Sequence, residues 1–173
     1  MGAPLLHAPV LRFDLLPALK RPLDGGRTFR GRRVFGDNKT WRGALCMTVG
    51  VVLATLLLWQ WDWWLDQLPG AVRSSSPLLV GLLIGLGTVA GELPNSFLKR
   101  QLDIAPGTRR RSPGGFALAV LDQGDLVLGI WLFLAPVWVM PVWLAAVAFA
   151  AIAAIHAVVN VIGYAIGARA APV

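Results

Sequence analysis

Two carboxylates three residues apart, Asp122 and Asp125, stand at the entrance to an apolar stretch with Gln123 between them. On a helix that spacing turns both side chains the same way, where they repel each other unless a cation joins them. Asp is also favoured near a helix N-terminus by the helix dipole, but one residue suffices for that. The pair therefore fits a Mg²⁺ site better, because that ion is held by one or two carboxylates together with substrate phosphates. A second polar group closes another apolar stretch. Glu92, Asn95, Ser96 and Lys99 fall at i, i+3, i+4 and i+7, one face of a helix that Pro94 kinks without ending, and Arg100 follows. An ionisable residue at that depth is costly unless it is paired or faces a wet cavity. Glu92 is thus a candidate third metal ligand, with a structural pair to Lys99 or Arg100 as the plain alternative.

The third group lies ahead of the first apolar stretch, where Gly36 and Gly43 flank Asp37, Asn38, Lys39, Thr40 and Arg42. A P-loop requires Gly-Lys-Ser/Thr contiguous after a strand, and here Asp37 and Asn38 intervene. What remains is a glycine-flanked turn with backbone N–H groups, an ammonium, a hydroxyl and a guanidinium beside a helix N-terminus, which suits an anion. A carboxylate pair for a divalent metal, cations for phosphates and an apolar wall together fit phosphoryl or nucleotidyl transfer to a membrane lipid. His156, Asn160 and Tyr164 form an i, i+4, i+8 stripe in the last apolar stretch. Interhelical hydrogen bonding is the commoner use of such residues, and contact with lipid substrate is the other. A small membrane transporter or assembly protein built on that stripe is the competing functional class.

The elements that must position these groups are set by composition. The chain has 173 residues, 56% hydrophobic and 14% charged, against about 25% charged for a soluble domain. Segments 43–61, 74–91 and 126–168 carry no charge, and a bilayer-spanning helix needs about 20 apolar residues. With a turn at Met140 and Pro141 dividing the longest, the expectation is an all-α, polytopic integral membrane helix bundle of four spans, about 43–61, 76–98, 118–139 and 142–167. All of 1–173 is then one membrane domain with a basic N-terminal segment (1–42) and a basic loop (99–117). The single Cys46 closes no intrachain disulfide, and no signal peptide is expected.

Lys20, Arg21, Arg27, Arg30, Arg32, Arg33, Lys39 and Arg42 precede the first span, and Lys99, Arg100, Arg109, Arg110 and Arg111 lie between the second and third. The positive-inside rule puts both segments in the cytoplasm, with the protein in the cell membrane and its site facing inward. Trp59, Trp61, Trp63, Trp64, Trp138 and Trp143 then form an outer interfacial belt. Every cation cluster belongs to a membrane face and no nucleic-acid-binding motif is present, so nucleic acid is not an expected partner. Gly81, Gly85, Gly87, Gly91, Gly163 and Gly167 make small-xxx-small pairs that permit close helix approach. A homodimer is compatible with all of this.

The segments PLDGG at 22–26, GRRVFGDNKTWRG at 31–43, GELPNSFLKR at 91–100 and LDQGD at 121–125 resemble the CDP-archaeol synthase family. These are membrane CTP:phosphatidate cytidylyltransferases, related to CDP-diacylglycerol synthase, and the likeness extends to His156, Asn160 and Tyr164. It implies conversion of a lipid phosphate and CTP to CDP-lipid and pyrophosphate with Mg²⁺. It further implies that Asp37, Asn38, Lys39, Thr40 and Arg42, with Asn95, Ser96, Lys99 and Arg100, hold the nucleotide. Asp122 and Asp125, with Glu92, would hold the metal, and Lys99 joins the two Asp residues at the catalytic centre. Family members resemble five-span proteins and this chain lacks the first span, so the expectation is either that Met1 falls inside a longer N-terminus or that the span is dispensable. The Asp-Gly…Ala-Arg…Asp…Asp pattern of CDP-alcohol phosphotransferases is absent.

Overall fold

The structure, a computed structural model, describes residues 10, 13–105 and 113–165, with side-chain surroundings in the last range given for 124–155 and 158. A 3-10 turn at Pro17–Leu19 leads to a two-residue antiparallel ladder of β1 (Thr28–Phe29) and β2 (Arg32–Arg33), in register Thr28 to Arg33 and Phe29 to Arg32. Six helices follow: α1 (Trp41–Leu58), α2 (Asp62–Leu65), α3 (Gly70–Arg73), α4 (Pro77–Gln101), α5 (Pro113–Leu134) and α6 (Val142–Ala165). The protein is therefore mostly helical. Met1–Val139 and Met140–Val173 form two compact units, and α6 is the helix of the second.

Among the described residues α1 and α4 are long and apolar enough to cross a membrane. The described parts of α5 and α6 contribute apolar stretches at Gly124–Leu134 and Val142–Ile155. The helices are built inside out relative to a soluble bundle. On α1 the buried positions are Arg42, Cys46, Gly50, Val52 and Thr55, while Leu45, Val49, Leu53 and Leu57 form an exposed stripe at intervals of four. Leu78, Leu79, Leu82 and Leu86 on α4 and Leu128 and Leu132 on α5 are exposed likewise. A continuous apolar surface with small and polar residues turned inward is the arrangement lipid selects, because Leu gains nothing by leaving a hydrocarbon solvent. The buried hydroxyls of Thr55 and Thr88 each bond back to the carbonyl one turn earlier, at Val51 and Ile84, both at 2.9 Å, so neither is orphaned.

In the first unit α4 is the central helix, and its glycines divide between two neighbours. Gly81 and Gly85 face α1: a Cβ at Gly85 would stand 2.9 Å from the Thr48 Cα. Gly87 and Gly91 face α5, where a Cβ at Gly87 would come 2.7 Å from the Gly129 carbonyl oxygen. Gly129 completes this crossing from the α5 side. Gly167 lies outside the described residues, and Gly163 lies on α6 where side-chain surroundings are not described. At the far end Val72, Val80 and Leu134 form a core on which Trp59 and Trp138 pack. Those two tryptophans are thus packing residues, whereas Trp61 and Trp63 are exposed as a belt requires. Pro94 lies inside α4 without ending it.

Candidate active site

The chain ahead of α1 is held in place before any functional group is considered. Leu23 N–H donates to the Lys39 carbonyl at 2.7 Å and Trp41 N–H to the Arg21 carbonyl at 3.1 Å, with Pro22 bridged to Thr40. Thr40 caps α1, its hydroxyl accepting from the Gly43 N–H at 3.1 Å, as expected of Thr at a helix start. Asp24 fixes the other side of the loop. Its carboxylate accepts from the N–H groups of Gly26 (2.9 Å), Phe35 (2.9 Å) and Gly36 (3.1 Å) and from Arg33 (2.8 Å). Burial works to raise this carboxyl, but the Arg33 guanidinium and the three amides outweigh it and hold the group well below the ordinary carboxylate range. Arg33 also pairs with Asp37 at 2.5 Å, and the two carboxylates push its own pKa up.

Turned toward α4, this loop meets the polar end of that helix. Lys39 forms an ion pair with Glu92. Arg100 lies against the glycine turn, for a Cβ at Gly36 would stand 3.4 Å from the Arg100 Cδ and 3.2 Å from the Asn38 Oδ1. The hairpin is moored to the same helix end: Phe29 and Phe97 rings stand 5.7 Å apart, Arg32 donates to the Gln101 carbonyl, and Gln101 donates to the Arg33 carbonyl at 3.3 Å. Between loop and helices is a cavity of about 250 Å³ whose polar lining includes Asn38, Lys39, Thr40 and Glu92.

A second cavity of about 240 Å³ opens between α4 and α5, lined by Asn95 and Asp125 among apolar side chains. Asn95 Nδ2 donates to Asp125 Oδ2 at 3.3 Å. The glycine crossing causes this contact, since Asn95 lies one turn after Gly91 and Asp125 one turn before Gly129. Because α5 begins at Pro113, Asp122 and Asp125 are well inside the helix and no acidic residue occupies its first turn. That removes helix capping as the reason for the pair. The Asp122 side chain lies outside the described residues, as do those of His156 and Asn160.

The structure thus brings Asn38, Lys39 and Thr40 together with Glu92 and Arg100, and Asn95 together with Asp125. It turns others elsewhere. Arg42 is buried and donates to Asp14 at 2.8 Å and to the Leu15 carbonyl at 3.2 Å, holding the N-terminal segment to α1. Asp14, paired with Lys20 and Arg42, sits below its ordinary pKa for that reason. Asp37 is largely exposed on its pair with Arg33. The Ser96 hydroxyl donates to the Glu92 carbonyl at 2.8 Å, and Lys99 lines neither cavity. Glu92 pairs with Lys39 of the loop ahead of α1, in place of the pair within α4 that spacing allowed. Asp24 and Gly129 were not singled out in sequence. The signals available were the PLDGG segment for Asp24 and the four-residue interval from Asp125 for Gly129.

Residues 12–173 match the family model described as "CarS-like: CDP-archaeol synthase". The CDP-archaeol synthase of Methanosarcina mazei is 32% identical over 169 residues, covering 88% of this chain and 90% of that protein. That of Methanoculleus marisnigri is 36% identical over 160 residues, covering 87% and 89%. A solved structure of an intramembrane enzyme for archaeal membrane lipids biosynthesis is similar with a TM-score of 0.63 and 28% identity over 90% of each chain. On a match spanning nearly its whole length, the chain belongs to the CDP-archaeol synthase family.

Proposed function

We propose that this chain transfers the cytidylyl group of CTP to a membrane lipid phosphate at the junction of the α1 loop, α4 and α5. It is a nucleotidyltransferase, a CTP-dependent lipid cytidylyltransferase of membrane lipid biosynthesis, as its family membership indicates. The observation that carries the site is the convergence of Asn38, Lys39 and Arg100 on one glycine turn beside Glu92. Lys39 and Arg100 bind the CTP phosphates, and Asn38 and the loop amides complete the cradle. Lys99, Asn95 and Ser96 belong to the same helix end, while Asp37, Thr40 and Arg42 support it through the loop and its cap.

The nucleophile, a lipid phosphate oxygen, is already anionic, so no general base is required. Its bond to the α-phosphorus of CTP forms as the bond to the β-phosphate bridging oxygen breaks, and pyrophosphate leaves with that electron pair. Charge neutralisation and alignment dominate such a step. The Asp125 carboxylate in the α4–α5 cavity offers oxygen donors, the chemistry Mg²⁺ prefers, while Glu92 is turned to Lys39 at the other cavity. Asp122 and Asp125 would hold that ion, and when bound it offsets phosphate charge.

The reading extends to four spans with the α1 loop and the carboxyl end of α4 on the cytoplasmic side, supported by the cations flanking α1 and α4. The relatives are CDP-archaeol synthases, so an archaeol phosphate is the proposed acceptor. The test is purified protein with CTP, Mg²⁺ and a panel of ester- and ether-linked lipid phosphates. Formation of CDP-lipid and pyrophosphate is expected, best with the ether lipid, and no CTP-dependent product from any acceptor would overturn the assignment. Substitutions at His156 or Asn160 that hurt more than those at Asp122 and Asp125 would favour the transporter or assembly class.

A further inference from the structure

Asp24 lines neither of the two cavities described above but belongs to the wall of a third, on the other face of the loop, and its carboxylate is fully engaged in hydrogen bonds. Its side chain is 1% exposed. A carboxylate taken so far from water is tolerated only when its lone pairs are filled, and here four donors fill them: the Gly26, Phe35 and Gly36 amides and the Arg33 guanidinium. These donors are not scattered. Arg33, Phe35 and Gly36 are consecutive contacts along the segment that runs directly into Asn38 and Lys39, and Gly26 closes the tight turn of the PLDGG segment itself.

The connection continues to the nucleotide loop in two ways. Gly36, whose N–H is on Asp24, has φ +93° and accepts at its carbonyl from the Lys39 N–H at 3.3 Å. A residue with a side chain adopts that φ only under strain, so the turn depends on both the glycine and the anchor. Arg33, also on Asp24, carries Asp37 on its other nitrogen. Removing the carboxylate would therefore release the turn that aims Lys39 at the cavity, with Lys39 and Arg100 themselves unaltered.

We propose that Asp24 is the positioning residue of the CTP site, holding the 33–39 turn so that Asn38 and Lys39 meet the nucleotide phosphates. With its side chain sealed from the site, Asp24 acts through Asn38 and Lys39 and is not catalytic, and the proposal rests on the functional reading above. Its signature is selectivity: the KM for CTP rises while the KM for lipid phosphate does not. A role in general stability would instead lower the active fraction, and with it the apparent kcat, at unchanged KM for either substrate.

The experiment compares wild type, Asp24→Asn, Arg33→Gln and the remote control Asp66→Asn, whose residue pairs with Arg73 between α2 and α3. Initial rates are measured with CTP and lipid phosphate varied in turn, on material monodisperse in detergent. Asp24→Asn keeps the shape but forces an NH₂ group onto either Arg33 or the backbone amides. The expected result is a CTP KM raised about tenfold or more, as loss of one charge-assisted bond would give, with the lipid KM within twofold. Arg33→Gln should move CTP KM in the same direction by less, and Asp66→Asn should leave all constants unchanged. If Asp24→Asn does not yield folded protein, Arg33→Gln decides. A CTP KM within twofold of wild type in the folded variants overturns the proposal, as does a rise in lipid KM alone. An inactive wild type would instead remove the functional reading on which it rests.

Discussion

Lys39 and Glu92 form an ion pair that joins the loop ahead of α1 to the polar end of α4, between residues 53 apart in the chain. Both side chains keep partial exposure, 22% and 33%, because they border the cavity instead of being sealed beneath it. The pair is thus available to exchange: phosphate oxygens can take Lys39 without stranding Glu92 in a dry interior. Lys39→Ala is expected to raise the CTP KM about tenfold or more, the worth of a hydrogen bond between charged groups. Glu92→Gln, which leaves the ammonium in place, should act more weakly on CTP. Steady-state rates at saturating lipid check this, and an unchanged CTP KM in Lys39→Ala would remove it from the nucleotide site.

Asp125 is held by Asn95 across the α4 and α5 interface, which makes it a formed feature of the site and not a loop residue that CTP must organise. Asp125→Asn and Asp122→Asn are each expected to abolish Mg²⁺-dependent formation of CDP-lipid while expression persists. Asn95→Ala should reduce activity less and raise the Mg²⁺ concentration needed for half-maximal rate. Titrating Mg²⁺ after chelation measures both effects. Full activity in the two Asp variants would dismiss the metal assignment.

Helix approach sets where those groups meet, and glycine permits the approach. A Cβ at Gly91 would overlap the Asp125 carbonyl oxygen, and one at Gly129 the Gly87 carbonyl oxygen, and backbone cannot swing aside as a side chain can. Gly91→Ala and Gly129→Ala should each destabilise by about 1–3 kcal/mol, the usual cost of overpacking, and lower activity through the Asn95 and Asp125 contact. Gly70 has nothing within 4 Å of the same atom, so Gly70→Ala is the neutral control. Thermal unfolding in detergent separates them; equal midpoints for all three would refute the crossing.

The helices and the polar ends were legible in the sequence because charge-free runs and i, i+3, i+4 spacing are local properties. Asn38, Lys39 and Arg100 were identifiable by type for the same reason. What spacing did not reveal is pairing across elements. Glu92 has acceptable partners at Lys99 and Arg100 on its own helix, and only the path of the loop brings Lys39 closer. Arg42 looked like a phosphate ligand by type, yet helical phase turns it toward Asp14. The glycines of α4 were readable as packing residues, but their division between α1 and α5 depends on helix order. Because α5 begins at Pro113, Asp122 and Asp125 lie in the body of the helix and not at its capped entrance.

Asp24 ties stability to pH in a direction that follows from its hydrogen bonds. Its folded pKa is depressed by Arg33 and the three amides, so the contribution is fully present above the unfolded carboxylate value, near 3.9. It is lost as pH falls below that value toward the folded pKa. Asp14 titrates in the same sense, because Lys20 and Arg42 depress it also, and an acid transition of the wild type therefore contains both groups. The difference between wild type and Asp24→Asn isolates one of them. At neutral pH the variant should be less stable by roughly 3 kcal/mol, as when a buried ion pair loses one partner, and the gap should narrow as the pH is lowered below about 4. Unfolding midpoints in detergent across that range supply the measurement. A gap that stays constant down to low pH would mean that the Asp24 carboxylate is not the charged anchor of the loop, and the positioning of Lys39 would need another cause.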